Sequence, residues 1–273
     1  MLNVLNTQLF RLKKSKLFWA LFIVCALLPL AGMLFSTGLM ALVDGAFDGA
    51  FGELFDDLQS SFTMSAFAGL TKLSSDPVLF SLICSSIFLS GEFSGGAIRN
   101  MVLANKSRTQ IFFSFLSVAM IIGTSYLCAG YVSTLLFYGT VMGFDGILVS
   151  QAVSGCFASL FLGLLSIAVA QTCVCLFLFA TRKTGATVAF PILVIILAPS
   201  LVNTIVDLVM GVKLVVGESV TTEALSWIPL YNMSLFSASK VDGGLVGKIA
   251  VYNVPIAALF ATFGWIASKA DLK

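Results

Sequence analysis

Histidine is absent from this chain, and with it go the commonest general base, the commonest neutral metal ligand and the usual switch near neutral pH. Other catalytic patterns are missing too. There is no G-x-S-x-G elbow, no zinc-binding H-E-x-x-H and no paired carboxylates inside an apolar run. The phosphate-binding pattern G-x-x-x-x-G-K-[ST] does not occur, since Gly247-Lys248 has Asp242 where the first glycine belongs. The chain is therefore expected to be no enzyme, to hydrolyse no ATP and to bind no cofactor or metal. Charge is scarce as well: charged residues are 10% of the chain, where a soluble domain carries about 25%. A net charge of +2 gives no basic field for a nucleic-acid partner.

What fills the chain is apolar. Hydrophobic residues make up 59% of it and the mean hydropathy is +1.04, so lipid must solvate much of its outside. Cys25, Cys84, Cys128, Cys156, Cys173 and Cys175 each lie inside apolar runs, which argues against a disulfide framework. Cys173 and Cys175, two apart, point to different faces of a helix. The first apolar run follows basic residues and is too long for a signal-peptide core, so it reads as a span.

Six spans are expected, at about 17–42, 77–91, 111–142, 151–180, 184–209 and 247–268, against the ~20 residues needed to cross; the second is short and is expected to extend into flanking sequence. Asp76-Pro77 supplies a start for the second, with Asp as N-cap and Pro at the first helical position. The third and fourth must tilt, kink or project, and Gly123 and Gly130 permit bending. Residues 2–16 place Leu2, Leu5, Leu9 and Leu12 at helical spacing, with Gln8, Arg11 and Lys14 elsewhere on the wheel. They read as an amphipathic helix on the cytoplasmic surface, its lysines facing anionic lipid. The external segments fall at about 43–76, rich in acids, and about 210–246, where Trp227 and Tyr231 suit the membrane interface. The fold class is thus an all-α polytopic membrane protein, with the amphipathic segment 1–16 followed by a six-span domain, 17–273.

Basic residues set the orientation. With the N-terminus inside, Arg11, Lys13, Lys14, Lys16, Arg99, Lys106, Arg108, Arg182, Lys183, Lys269 and Lys273 are cytoplasmic, against Glu92 and Asp271. Only Lys72, Lys213, Lys240 and Lys248 fall outside. Both termini are therefore expected in the cytoplasm.

The most polar cytoplasmic loop, about 92–110, joins the second and third spans. Gly95-Gly96 can break the helix leaving the membrane. Ala97 to Leu103 can form a short helix with Ile98, Val102 and Met101 on one side, and Ser107 or Thr109 can cap the next span. A helix projecting between two spans can dock in a groove of a soluble partner. Inside the spans, Ser81 and Ser85 share a face, as do Ser86 and Ser90. Small polar residues there suit either helix packing or a mildly polar translocation path. Asn203 and Asp207, four apart near the external end of the fifth span, suit either a cation or basic-substrate site or a headgroup-level surface.

The run G-E-F-x-x-G-x-I-R-N, Gly91 to Asn100, followed by L-x-N-K-S-R-x-x-I-F, Leu103 to Phe112, resembles the intracellular loop of ABC type-2 permeases. These include bacterial peptide- and bacteriocin-export or immunity permeases. The family often has Gly where this chain has Asn105, which tolerates the same backbone conformation. The resemblance implies an elbow helix at the N-terminus and a coupling helix at 97–104 that sits on a separate cytoplasmic ATPase carrying ATP and Mg. On it, Glu92, Ile98, Arg99, Asn100, Met101, Val102, Lys106 and Arg108 are the coupling residues, with Glu92 and Arg99 positioning the loop by pairing with the elbow basics or the partner. The second and fifth spans would line a path between two permease subunits, homo- or heterodimeric, with Ser81, Ser85, Phe88, Asn203 and Asp207 as candidates on it. The expected function is the permease subunit of an exporter in the bacterial plasma membrane. Its expected cargo is a hydrophobic or amphipathic peptide, with drugs or lipids behind it. Two rival readings remain: an ion-coupled secondary transporter, which needs ionisable residues at mid-depth, and a non-transporting immunity or sensor module.

Overall fold

Long apolar runs must satisfy every backbone group within the segment once water is excluded, and helices are the local solution. The computed structural model of the chain describes residues 2–46, 75–95, 101, 107–141, 149–198, 201 and 243–269. Among these, every regular element is helical. Helix α1 spans Leu2–Lys14, α2 Lys16–Ala46, α3 Ser75–Ser94, α4 Arg108–Val141, α5 Val149–Thr181, α6 Thr184–Ile192 and α7 Gly243–Lys269. Five of them contain stretches long and apolar enough to cross a membrane: Lys16–Phe35, Asp76–Phe93, Arg108–Phe137, Ser154–Thr181 and Val246–Lys269. The sixth expected span is described only over its first part, α6 and its continuation, and the rest of 184–209 lies largely outside the described residues. So do most of both external segments and, apart from Met101, the expected coupling helix.

Helix ends follow the local chemistry. α3 stops at Ser94, and Gly95 donates its N–H to Gly91 O at 2.9 Å, where the glycine pair was expected to end the helix. At its other end α3 begins at Ser75, so Asp76 and Pro77 occupy the first turn and Asp76 is inside the helix, not its N-cap. Ser107 caps α4, accepting the Gln110 N–H on its hydroxyl at 3.3 Å. Arg182 closes α5 at φ 56°, and with Lys183 it turns the chain into α6. A left-handed non-glycine costs roughly 1 kcal/mol. After Pro191, whose ring removes one rung of the helical ladder, Leu193–Leu197 winds as a wider π-helix.

Helix α3 is central, packing on α2, α4, α5 and α6, while α5 and α7 pair along much of their length. α4 and α5 run antiparallel in tight register. A Cβ built on Gly123 would overlap Ile167 Cγ2, one built on Gly163 would lie 2.8 Å from Leu127 Cδ1, and Ser159 bonds Tyr131. Gly123 thus serves close helix approach, and α4 runs unbroken through it. At 34 residues α4 is about 50 Å long, so it tilts or projects beyond a ~30 Å hydrocarbon layer. Gly264 lets α7 approach the Leu176 backbone so closely that a Cβ built on it would lie 3.2 Å from Leu176 Cα. The core gathers Phe112, Phe115, Tyr126, Leu178 and Phe179. α2 and α7 are the least enclosed spans and leave Leu34, Phe35, Val251 and Phe263 exposed. All six cysteines are free thiols.

Candidate functional site

The ends of α3, α4 and α5 converge. Phe93 packs edge-on against Phe115 and Phe179, with ring centroids 5.8 and 5.2 Å away. Around this aromatic layer stand Arg11, Lys13, Lys14, Lys16, Arg108, Arg182, Lys183 and Lys269, so this is the basic end of the bundle, and among the described residues Glu92 is the acid there. The loop from α3 to α4 leaves from here and returns here.

Helix α1 is docked on the bundle at this end. Gln8 is fully buried and accepts a hydrogen bond from Ser114 Oγ of α4 at 2.9 Å. Leu12 is buried too, and Leu5 and Leu9 pack against the core. This corrects the wheel drawn from sequence: Gln8 shares the inward face with the leucines, because Ser114 gives it a partner that no periodicity reveals. The outward face carries Asn6, Thr7, Phe10, Lys13 and Lys14. Lys14 lies 4.4 Å from the Phe10 ring centroid.

Each end of the 92–110 loop is held by an arginine. Glu92, with a side chain 10% exposed, accepts a hydrogen bond from Arg11 at 2.7 Å, joining α3 to α1. Arg108, at the start of α4, donates to the backbone carbonyl of Lys269 at 2.8 Å. That carbonyl is one of the last four of α7, which have no partner within their helix. Met101 is half-buried and packs against the protein's own core. Ile98, Arg99, Asn100, Val102 and Lys106 lie outside the described residues.

The path candidates divide. Ser81 and Ser85 are fully buried, donating back to Val78 O at 2.9 Å and Leu82 O at 3.3 Å. Ser81 also accepts from Gln171 Nε2 of α5 at 3.1 Å. In this conformation these hydroxyls therefore lie between helices of one subunit, where small polar residues serve packing. Phe88 is half-buried against the core, and Asn203 and Asp207 lie outside the described residues. The open side of α3 is apolar, with Ile87 exposed, and so is that of α6 and the chain that continues it, with Phe190, Leu193, Leu197 and Leu201 exposed.

Sequence reasoning missed Gln171. It is fully buried, its Oε1 has no hydrogen-bond partner among the described residues, and Gly123 makes room for its amide. It stands ten residues before the end of α5, or about 15 Å at 1.5 Å per residue, close to the middle of a hydrocarbon layer about 30 Å thick. The only available signal was an uncharged amide in an otherwise apolar run. Asn253 of α7 is another buried amide, donating to Ile249 O at 2.8 Å. Among the described residues no three His, Cys, Asp or Glu side chains converge as metal ligands.

A bundle of apolar helices with a pinned polar loop at one end defines a multi-pass membrane protein. The family model described as ABC-2 family transporter protein matches residues 4–199, and the chain belongs to this family, which forms the membrane component of ABC transporters. No curated protein matches it.

Proposed function

We propose that the chain is the permease subunit of an ATP-driven exporter, assembled from two permease subunits and two separate ATPases that hold ATP and Mg. The observation that carries this reading is the anchoring of the 92–110 loop at Glu92 and Arg108 on a chain of the ABC-2 family. A loop fixed at both ends transmits a push on its middle to the helices that hold it. The ATPases close on ATP, the coupling helix at 97–104 moves with them, and α3 and α4 follow from inward-open to outward-open. ATP drives this by binding the two states with different affinity.

The excess of cations at the basic end supports a cytoplasmic position for that end and for both termini, in the plasma membrane of a bacterium. The apolar open sides of α3 and α6 support a path or subunit contact there, and a hydrophobic or amphipathic peptide as cargo. Burial of Ser81 and Ser85 favours packing over cargo contact for these two. The ion-coupled alternative is disfavoured, because among the described residues no Asp, Glu, Lys or Arg stands at the middle of a helix.

The test is Arg99→Glu in the complex reconstituted with its ATPase. Substrate-stimulated ATP hydrolysis should fall several-fold while the subunits still co-purify and the permease unfolds at the same temperature. Unchanged stimulation would remove Arg99 from the coupling contact.

A further inference from the structure

The two ends of the 92–110 loop hang on the two terminal helices, one at each end of the sequence. The α1 connection runs through the Arg11–Glu92 ion pair, with the Arg11 side chain 51% exposed. The α7 connection has several parts. Arg108 Nη1 bonds the Lys269 carbonyl, and Trp265 Nε1 points at Thr109 Oγ1 at 3.4 Å. Lys269 Nζ sits over the face of the Trp265 ring, 3.5 Å from its centroid. One turn deeper, Gly264 approaches Phe112 so closely that a Cβ there would lie 3.0 Å from Cε2. Residues 108–112 of α4 thus meet 264–269 of α7 through a charged hydrogen bond, an indole contact and a glycine-sized fit.

We propose that Arg108 is a positioning residue that locks the last turn of α7 to the first turn of α4, so that α7 moves with the coupling loop as one body. A guanidinium suits this task. The C-terminal end of a helix carries partial negative charge and unpaired carbonyls, and a cation there is held by both. Arg108 accordingly acts inside its own subunit, through the Lys269 carbonyl. The consequence is a second route from loop to membrane domain: α3 carries motion at one end of the loop, and α7, through α4, carries it at the other. α7 also packs along α5, so this route reaches α5 as well.

This inference rests on the loop being the ATPase contact, and the test separates the two ideas. Spin labels go on Gln110→Cys and Ile266→Cys, and in a second pair on Gln110→Cys and Lys183→Cys, with the native cysteines replaced. With its ATPase, the complex should give the same 110–266 distance with and without ATP, while the 110–183 distance shifts. A 110–266 distance that shifts with ATP as much as the 110–183 distance overturns the one-body claim. A second arm uses the permease alone in nanodiscs. Arg108→Ala should broaden the 110–266 distribution and speed hydrogen exchange in the last turn of α7 several-fold. Arg108→Lys should restore part of both, and no effect of Arg108→Ala also overturns the claim. Should ATP move neither pair while Arg108→Ala still loosens the joint, the lock stands and the ATP-coupling reading fails.

Discussion

Replacing Ser81 by Ala should destabilise this protein more than replacing its partner Gln171 by Met, although both changes remove the same hydrogen bond. Ser81 Oγ is the acceptor for Gln171 Nε2 at 3.1 Å, and both residues are fully buried. An interhelical hydrogen bond in a membrane contributes about 0.6 kcal/mol on average and up to about 1.7. Ser81→Ala loses that bond and leaves both ends of the Gln171 amide unpartnered, since Oε1 already has no partner among the described residues. An orphaned buried polar group costs about 1–3 kcal/mol. Gln171→Met loses the bond as well but removes the orphaned Oε1, and methionine's unbranched stem fits the slot beside Gly123. The expected ranking is Gln171→Met at or above wild type, Ser81→Ala below both, and a gap of about 2 kcal/mol, up to thirtyfold in the folding equilibrium. Buried Cys25, Cys84, Cys173 and Cys175 are built-in reporters. Denaturant titration in lipid–detergent micelles, read by thiol labelling, gives the ranking directly. If Ser81→Ala proves as stable as Gln171→Met, the reasoning about the half-satisfied amide is wrong.

Three further outcomes are expected. Glu92→Arg should lower ATPase stimulation in the complex, and Glu92→Arg with Arg11→Glu should recover much of it. Each single variant should also lower stability by more than an exposed pair would, because the Glu92 side chain is only 10% exposed and loses its partner; failure of the double swap to recover coupling would mean that the pair does not position the loop. Gly123→Ala should destabilise by about 1–3 kcal/mol through overlap with Ile167, whereas Gly91→Ala, with no atom near its Cβ, should be neutral or slightly stabilising in the same unfolding assay. A cysteine at Lys183, in a background without native cysteines, should react with a membrane-impermeant maleimide only from the cytoplasmic side, and labelling of intact cells would reverse the orientation.

Local signals in the sequence carried far. The glycine pair after Ser94, the Ser107 cap and the apolar runs placed the described helix ends to within a few residues, because each depends on a few neighbouring positions. Signals between distant segments were hidden. Gln8 looks like part of a polar face until Ser114 is brought to it, and Arg108 looks like a partner-facing cation until the end of α7 is brought to it. Gln171 was invisible for the same reason: one amide in an apolar run gives no periodicity, and its meaning lies in Ser81, ninety residues away. Glu92 was the exception, since an acid beside so many cations on the cytoplasmic side expected from the sequence has few other places to turn. Its pairing with the N-terminal helix is now seen at Arg11, while its part in coupling is a matter for the charge swap.

The central claim is that this chain is the membrane half of a transporter driven by another polypeptide. It is tested most directly by uptake of a candidate amphipathic peptide into inside-out vesicles from cells expressing the chain with its ATPase. Uptake should require ATP, stop with vanadate, and persist when a protonophore collapses the ion gradient. Uptake that ignores vanadate and disappears with the gradient, or that the purified permease sustains alone, would contradict the account.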